Sequence, residues 1–80
     1  MANTILQRME LVVNSAAKVF RVVEHRRDTY HIFQVHITSV NHEHIEDFDT
    51  RHAAEKHMHQ ELITEMANYL KTGVRLKIKG

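Results

Sequence analysis

Apolar positions recur at helical spacing in the second half of the chain. On a helix, four of them form a single apolar stripe, and two more widen it on one side: Met58, Leu62, Met66 and Tyr69, with Ile63 and Leu70 beside them. Asp49 or Thr50 is a suitable N-cap, because a side-chain oxygen there can accept a hydrogen bond from an N–H group of the first turn. Gly73 is a suitable left-handed C-cap. The pattern therefore predicts a helix over residues 50–72.

Two other segments alternate between apolar and polar positions with the period of a strand. Residues 74–79 place three aliphatic side chains on one side and three basic ones on the other: Val74, Leu76 and Ile78 against Arg75, Lys77 and Lys79. Residues 30–40 alternate in the same way: Phe33, Val35 and Ile37 against Gln34, His36 and Thr38. Both segments are therefore predicted to be strands.

The first quarter of the chain fits two structures. Its apolar residues fall on one side of a helical wheel: Ile5, Leu6, Met9, Val12, Val13, Ala16, Ala17 and Phe20. However, residues 18–26 are rich in valine, which suits a strand, and residues 26–29 could turn that strand back onto residues 30–40. We therefore predict a helix over residues 4–16 and a strand over residues 18–26. The alternative is one long helix over residues 4–25.

These elements predict a single α+β domain over residues 1–80. The expected fold is a small three-stranded, mostly antiparallel sheet with two helices packed on one face, in the order α-β-β-α-β. The single long helix would instead give the order α-β-α-β.

Length and composition narrow the functional classes. The chain has 80 residues and no cysteine, so disulfides cannot supplement its small core. A core of this size contributes only about 3–5 kcal/mol net, and we therefore expect a homodimer. There is no signal-peptide pattern, and the longest unbroken apolar run has three residues, so no membrane association is expected. Absence of cysteine favours a reducing compartment, and we expect a cytoplasmic protein.

Charge is unevenly distributed, although the net charge is only +1. Residues 1–27 carry +3, residues 28–65 carry −6 and residues 66–80 carry +4. Such an asymmetry bears on the choice of partner more than on the fold.

The basic residues of the hairpin turn and the last strand would share the outer face of the predicted sheet: Arg26, Arg27, Arg75, Lys77 and Lys79. Clustered lysine and arginine can bind phosphates by charge neutralisation and counterion release. The leading hypothesis is thus a small regulatory protein that binds nucleic acid or a nucleic-acid-handling complex. Alternatively, the lysines only keep a terminal strand edge from pairing with other chains.

Four carboxylates lie in a predicted bend over residues 42–49: Glu43, Glu46, Asp47 and Asp49. Their spacing is not that of an EF-hand loop. Either this charge stabilises the N-terminus of the following helix, or it docks on a basic partner. The second possibility predicts a protein inhibitor or adaptor, of the kind that phages and mobile elements encode, which docks by the bend and the second helix.

Histidine is abundant, with eight residues in the chain. His52, Glu55 and His59 share one face of the predicted helix and could hold a divalent metal, with His42 or His44 as a further ligand. The spacing matches no diagnostic motif. Ordinary hydrogen-bonding roles are therefore expected for these histidines, and no cofactor is predicted. A metal-binding protein that uses histidine and glutamate ligands is the third functional hypothesis. Protonation of the histidines at acid pH makes partner binding sensitive to pH and salt.

Catalysis is not expected. There is no cysteine, and Ser15 and Ser39 lie in predicted regular structure without a nucleophile-elbow motif. Both glycines lie near the C-terminal end, so no glycine-rich phosphate loop is present. A monomer of this length is also expected to offer little room for a substrate pocket of about 300 Å³.

Overall fold

The computed structural model describes residues 2–13, 16–71 and 76–79 of the chain, and the side chains of residues 3–13 and 16–71. Four strands come first: β1 (Ala2–Val13), β2 (Ala16–Arg27), β3 (Tyr30–Ser39) and β4 (His42–Phe48). The helix α1 (Arg51–Lys71) follows, and a short strand, β5 (Leu76–Lys79), comes last.

The strands form one antiparallel sheet in the order β4-β3-β2-β1-β5. β1 to β4 are a four-stranded meander in chain order, α1 packs on one face, and β5 pairs with the remaining edge of β1. The predicted fold is therefore wrong, because the sheet is not three-stranded and does not carry two helices. The α-β-α-β alternative is also wrong. We call the sheet face that carries α1 the helix face and the opposite one the outer face.

β1 occupies the segment for which a helix was predicted. From residue 7 onward its alternate side chains lie on the helix face: Gln7, Met9, Leu11 and Val13. Leu11, which lies outside the apolar arc of a helical wheel, is fully buried. A bulge between Ile5 and Gln7 shifts the register, so the apolar residues on its two sides combine into a spacing that imitates a helix. Pairing with β2 then overrides the local pattern.

β4 replaces the bend predicted over residues 42–49. Val40 and Asn41 form a two-residue turn after β3, and the chain returns alongside β3 from His42 to Phe48. Aspartate and glutamate are depleted in strands generally, but charged side chains are common on edge strands, where they discourage pairing with other chains. The carboxylates that suggested a bend therefore belong to an edge strand.

The core lies between α1 and the helix face of the sheet. Its fully buried side chains come from three strands and the helix: Leu11, Phe20, Val22 and Val35, with Ala54 and Met58. Met66 and Tyr69 extend the helical stripe at the margin of this core. Ile63 and Leu70, which were predicted to widen the stripe, are instead 64% and 65% exposed. No helix in the described ranges has both the length and the apolar character needed to cross a membrane.

Polar contacts determine where α1 begins and how it sits on the sheet. The Thr50 hydroxyl accepts a hydrogen bond from the N–H of Ala53 at 3.1 Å, and the Thr50 carbonyl accepts one from Ala54 at 3.2 Å. Thr50 is therefore the N-cap. Farther along the helix, Glu65 Oε1 pairs with Lys18 Nζ of β2 at 2.6 Å. This ion pair connects α1 to β2, the central strand of the sheet.

Candidate binding site at the β4 edge

β4 is an outermost strand, and no strand among the described residues pairs with its outer backbone edge. Ser39 and His42 pair across the two-residue turn. In a hairpin with a two-residue loop, the residues that flank the loop exchange backbone hydrogen bonds. Hydrogen-bonded and non-hydrogen-bonded pairs alternate along an antiparallel ladder. The backbone groups of residues 42, 44 and 46 therefore point towards β3, whereas those of residues 43, 45 and 47 point away from the sheet. These three residues present an open row of N–H donors and C=O acceptors.

The side chains of the same three residues lie on the outer face and are exposed. Ile45 is 45% exposed and lies between two carboxylates. Asp47 Oδ1 accepts a hydrogen bond from Gln34 Nε2 at 2.9 Å, and Glu43 Oε2 accepts one from Thr38 Oγ1 at 3.4 Å. These contacts orient both carboxylates from the neighbouring strand. The outer face of β4 therefore has an acidic–apolar–acidic pattern.

Glu46, which was predicted to act with the other three carboxylates, lies on the helix face instead. Its carboxylate is 3.4 Å from His44 Nε2 and 3.3 Å from His57 Nε2 of α1. The His57 ring also packs at a tilt against Phe48, with ring centroids 5.1 Å apart. Glu46 therefore helps to hold β4 against α1. Asp49 is exposed in the short bend that precedes the helix.

On the outer face, two strands away from β4, β2 carries the positively charged Arg21. Arg21 is opposite His36 of β3, and its guanidinium donates a hydrogen bond to Thr38 Oγ1 at 3.4 Å. Arg21 Nε is buried and has no hydrogen-bond partner in the described part of the chain. Burial and, next, the charge of Arg21 lower the pKa of His36, while Glu43 and Asp47 act in the opposite direction. The charge of this face thus changes sign between β2 and β4.

The five basic residues assigned to nucleic-acid binding do not form one cluster. Arg26 and Arg27 are exposed at the end of β2, at the tip of the β2–β3 hairpin. Lys77 and Lys79 belong to β5, whose backbone pairs with the opposite end of β1. The two groups are about nine residues apart along the strands, which is about 30 Å. Arg75 lies outside the described residues.

The candidate metal ligands on α1 line a shallow groove of about 290 Å³ but do not converge. His52, Glu55 and His59 contribute to its lining. His59 Nε2 lies 3.3 Å from Gln7 Nε2 of β1, and the histidines of β4 are three strands away from that contact. Within residues 2–13, 16–71 and 76–79, no three histidine, aspartate or glutamate side chains are placed to hold a metal ion.

An open cleft of about 540 Å³ lies between Tyr69 of α1 and the adjacent ends of β1, β2 and β3. The expectation that this chain offers little room for a pocket is therefore wrong. The cleft is lined mainly by aliphatic side chains such as Leu11 and Val13, with Lys18 and Ser39 among the polar ones. Lys18 is already paired with Glu65. The described lining does not combine a nucleophile with an oriented base.

Sequence reasoning identified the carboxylates of β4 but missed Ile45 and the open backbone edge. A signal for the strand itself was present, because Glu43, Ile45 and Asp47 are spaced by two residues, as on one face of a strand. Asn41 just before them is a common turn residue. The neighbouring Glu46 and Asp49 mask this alternation, because they add charge at positions outside it.

Comparison of the chain with protein-family models, with curated proteins and with solved structures found no significant match in any of the three.

Proposed function

We propose that this protein is a small, non-catalytic inhibitor or adaptor that docks on a basic segment of a protein partner through β4. The observation that carries this proposal is the exposed pattern Glu43, Ile45, Asp47 on an edge strand. Asp49 extends the negative charge beyond the end of the strand. An apolar side chain between oriented carboxylates can combine burial of apolar area with charge complementarity.

Electrostatics makes the proposed binding dependent on conditions. Exposed carboxylates steer a basic partner towards the site, and salt screens this attraction. Binding should therefore weaken as salt rises. Affinity that stays flat as the salt concentration rises would contradict this mechanism.

The proposal is tested by charge reversal on the outer face of β4. Glu43→Lys/Asp47→Lys is compared with Asp28→Lys, which reverses an exposed carboxylate at the β2–β3 turn. Tagged proteins are incubated with a nuclease-treated extract of the source cells, and the retained proteins are identified. A partner kept by the wild type and by Asp28→Lys, but lost by the double variant, is then purified and its affinity measured. Equal affinity for all three baits would overturn the proposal.

A second candidate function is contact with nucleic acid through β5. The observation that favours it is the strand order, in which β5 and β4 are at opposite edges of the sheet. Four strand spacings separate them, about 19 Å, so the carboxylates of β4 lie beyond two Debye lengths of β5 at physiological salt. Lys77 and Lys79 of β5 would contact phosphates without regard to sequence.

This second function is tested with mixed nucleic acid. Lys77→Glu/Lys79→Glu should abolish binding, whereas Lys56→Glu, on the surface of α1, should retain most of it. Loss of salt dependence should accompany loss of affinity in the double variant. Unchanged binding by Lys77→Glu/Lys79→Glu would remove this candidate.

A further inference from the structure

We propose that the basic partner segment binds as an extra antiparallel strand on the open edge of β4. This inference rests on the proposed function and specifies how the partner is held. Its structural basis is the main chain of β4, whose outward N–H and C=O groups have no partner strand among the described residues. Strand addition satisfies such groups with backbone hydrogen bonds, and side chains at alternate positions then give specificity.

The geometry of β4 suits an added strand of about five residues. The three residues with outward backbone groups are at positions 43, 45 and 47, and each can exchange a pair of hydrogen bonds with an antiparallel neighbour. Their side chains are all exposed, so none folds over the edge into the core. The seven-residue strand contains no proline that would interrupt the added ladder.

The side chains of β4 specify the chemistry of the occupant. In an antiparallel pair, directly opposite residues lie on the same face and interact. Residues opposite Glu43 and Asp47 should therefore be lysine or arginine, and the residue opposite Ile45 should be aliphatic. The favoured segment has the pattern basic–x–aliphatic–x–basic in an extended conformation.

A second copy of this chain fits the same edge less well. Two β4 strands related by a twofold axis at Ile45 would place Glu43 opposite Asp47 of the second copy, and like charges at directly opposite positions are destabilising. The homodimer expected from the length of the chain is therefore not assigned to this edge.

The probe for the inference is a capped peptide, Thr-Lys-Thr-Val-Thr-Lys-Thr. Its affinity for the full chain is compared with that of two N-methylated forms of identical charge and composition. One form carries methyl groups on the nitrogens of the central valine and the second lysine, which face β4 in the proposed register. The other carries them on the two threonines that flank the valine, which face away. The first form should bind at least tenfold more weakly than the parent peptide, and the second should bind about as tightly.

The matching change in the protein is Ile45→Pro, with Ile45→Thr as its control. Proline removes the outward N–H of residue 45, and its ring occupies the position of the lost hydrogen. No hydrogen bond to β3 is broken, because the N–H of residue 45 does not face β3. Ile45→Pro should abolish peptide binding, and Ile45→Thr should weaken it only a few-fold. Amide exchange of the wild type offers an independent readout: peptide should slow exchange at residues 43, 45 and 47.

The outcomes separate this inference from the proposed function. Equal affinity of both methylated peptides, with binding still lost in Glu43→Lys/Asp47→Lys, would overturn strand addition and leave the acidic docking surface intact. Equal affinity of the wild type and that double variant for the parent peptide would overturn both. Concentration-dependent self-association that slows exchange at residues 43, 45 and 47 without peptide would identify a second copy as the occupant and overturn the basic segment.

Discussion

His36 lies in the middle of the outer face, between charges of opposite sign. Arg21 of β2 lies opposite His36. The Nε2 atom of His36 lies 3.1 Å from Gln34 Oε1 on the same strand, β3. Burial and Arg21 both disfavour the protonated ring, and they outweigh the attraction of Glu43 and Asp47. The neutral imidazole is therefore the form that folding favours.

This preference makes the stability of the protein depend on pH. The pKa of His36 is lowered in the folded state, so the unfolded chain binds its proton more readily and stability falls as pH drops below the ordinary histidine value of about 6.5. His36→Gln should therefore flatten the dependence of the unfolding free energy on pH between about 5 and 7.5. Urea denaturation across that range measures the slope. His42→Gln, which removes an exposed imidazole, is the control, and an equal effect of both substitutions would contradict the assignment.

β2 shows that periodicity does not determine which of its side chains lie on the outer face. Alternation along β2 is compatible with either Lys18 or Arg21 on the outer face. The two-residue turn at positions 28 and 29 determines the register between β2 and β3, and it places Arg21 opposite His36. Lys18 consequently lies on the helix face and pairs with Glu65. The choice depends on the exact turn, which a hydrophobic pattern does not specify.

The elements differ in how far their own residues determine them. α1 was predicted over residues 50–72 and forms over Arg51–Lys71, since its apolar stripe and N-cap are local features. β3 was predicted over residues 30–40 and forms over Tyr30–Ser39 by clear alternation. β1 and β4 were not predicted, because a bulge disguises the periodicity of β1 and the cluster of carboxylates conceals the alternation in β4. Both depend on pairing with a neighbouring strand.

The N-cap of α1 can be tested by removing its hydroxyl. Thr50→Ala deletes the oxygen that accepts the Ala53 N–H, and it should lower the unfolding free energy by about 1 kcal/mol. Thr50→Ser keeps an equivalent acceptor and should cost much less. Chemical denaturation followed by circular dichroism measures both changes, and equal losses would show that the hydroxyl is not the stabilising group.

The buried stripe of α1 can be tested at one inward and one outward position. Met58 is fully buried, so Met58→Ala should destabilise the fold by about 2–5 kcal/mol. Ile63 is 64% exposed, and Ile63→Ala should change stability by no more than about 0.5 kcal/mol. If Met58→Ala does not fold, Met58→Leu should fold at a cost below about 1.5 kcal/mol. A larger effect at Ile63 than at Met58 would contradict the orientation of the helix.

At the scale of the whole molecule, strand order decides which surfaces are open. The chain is elongated, with principal extents of 47 × 20 × 20 Å. Its acidic strand β4 and its basic strand β5 form the two outer edges of the same sheet. Charge runs along the sequence revealed the acidic and basic segments. They did not reveal that β4 has an open edge, because that follows from pairings between distant segments.

The order of the strands predicts a graded pattern of amide exchange. β2 and β3 have partner strands on both sides, so their amides should be the most protected. Within β4, His44 and Glu46 should exchange slowly and Glu43, Ile45 and Asp47 quickly, because only the first two point towards β3. Hydrogen exchange followed residue by residue by NMR measures this alternation. Uniform protection along β4 would contradict the proposed open edge.

β5 is the only strand of the described chain that joins the sheet after the helix, and it contacts β1 along four residue pairs, from Glu10 to Val13. The meander of β1 to β4 does not need β5, because each of its strands pairs with the strand that is next to it in the sequence. Release of this last strand would leave the meander and α1 in place and would uncover a second edge at Glu10–Val13. That edge is mainly aliphatic. The protein would then have two open strand edges, one at β4 that selects a partner by charge and one at β1 that binds apolar segments with little selectivity.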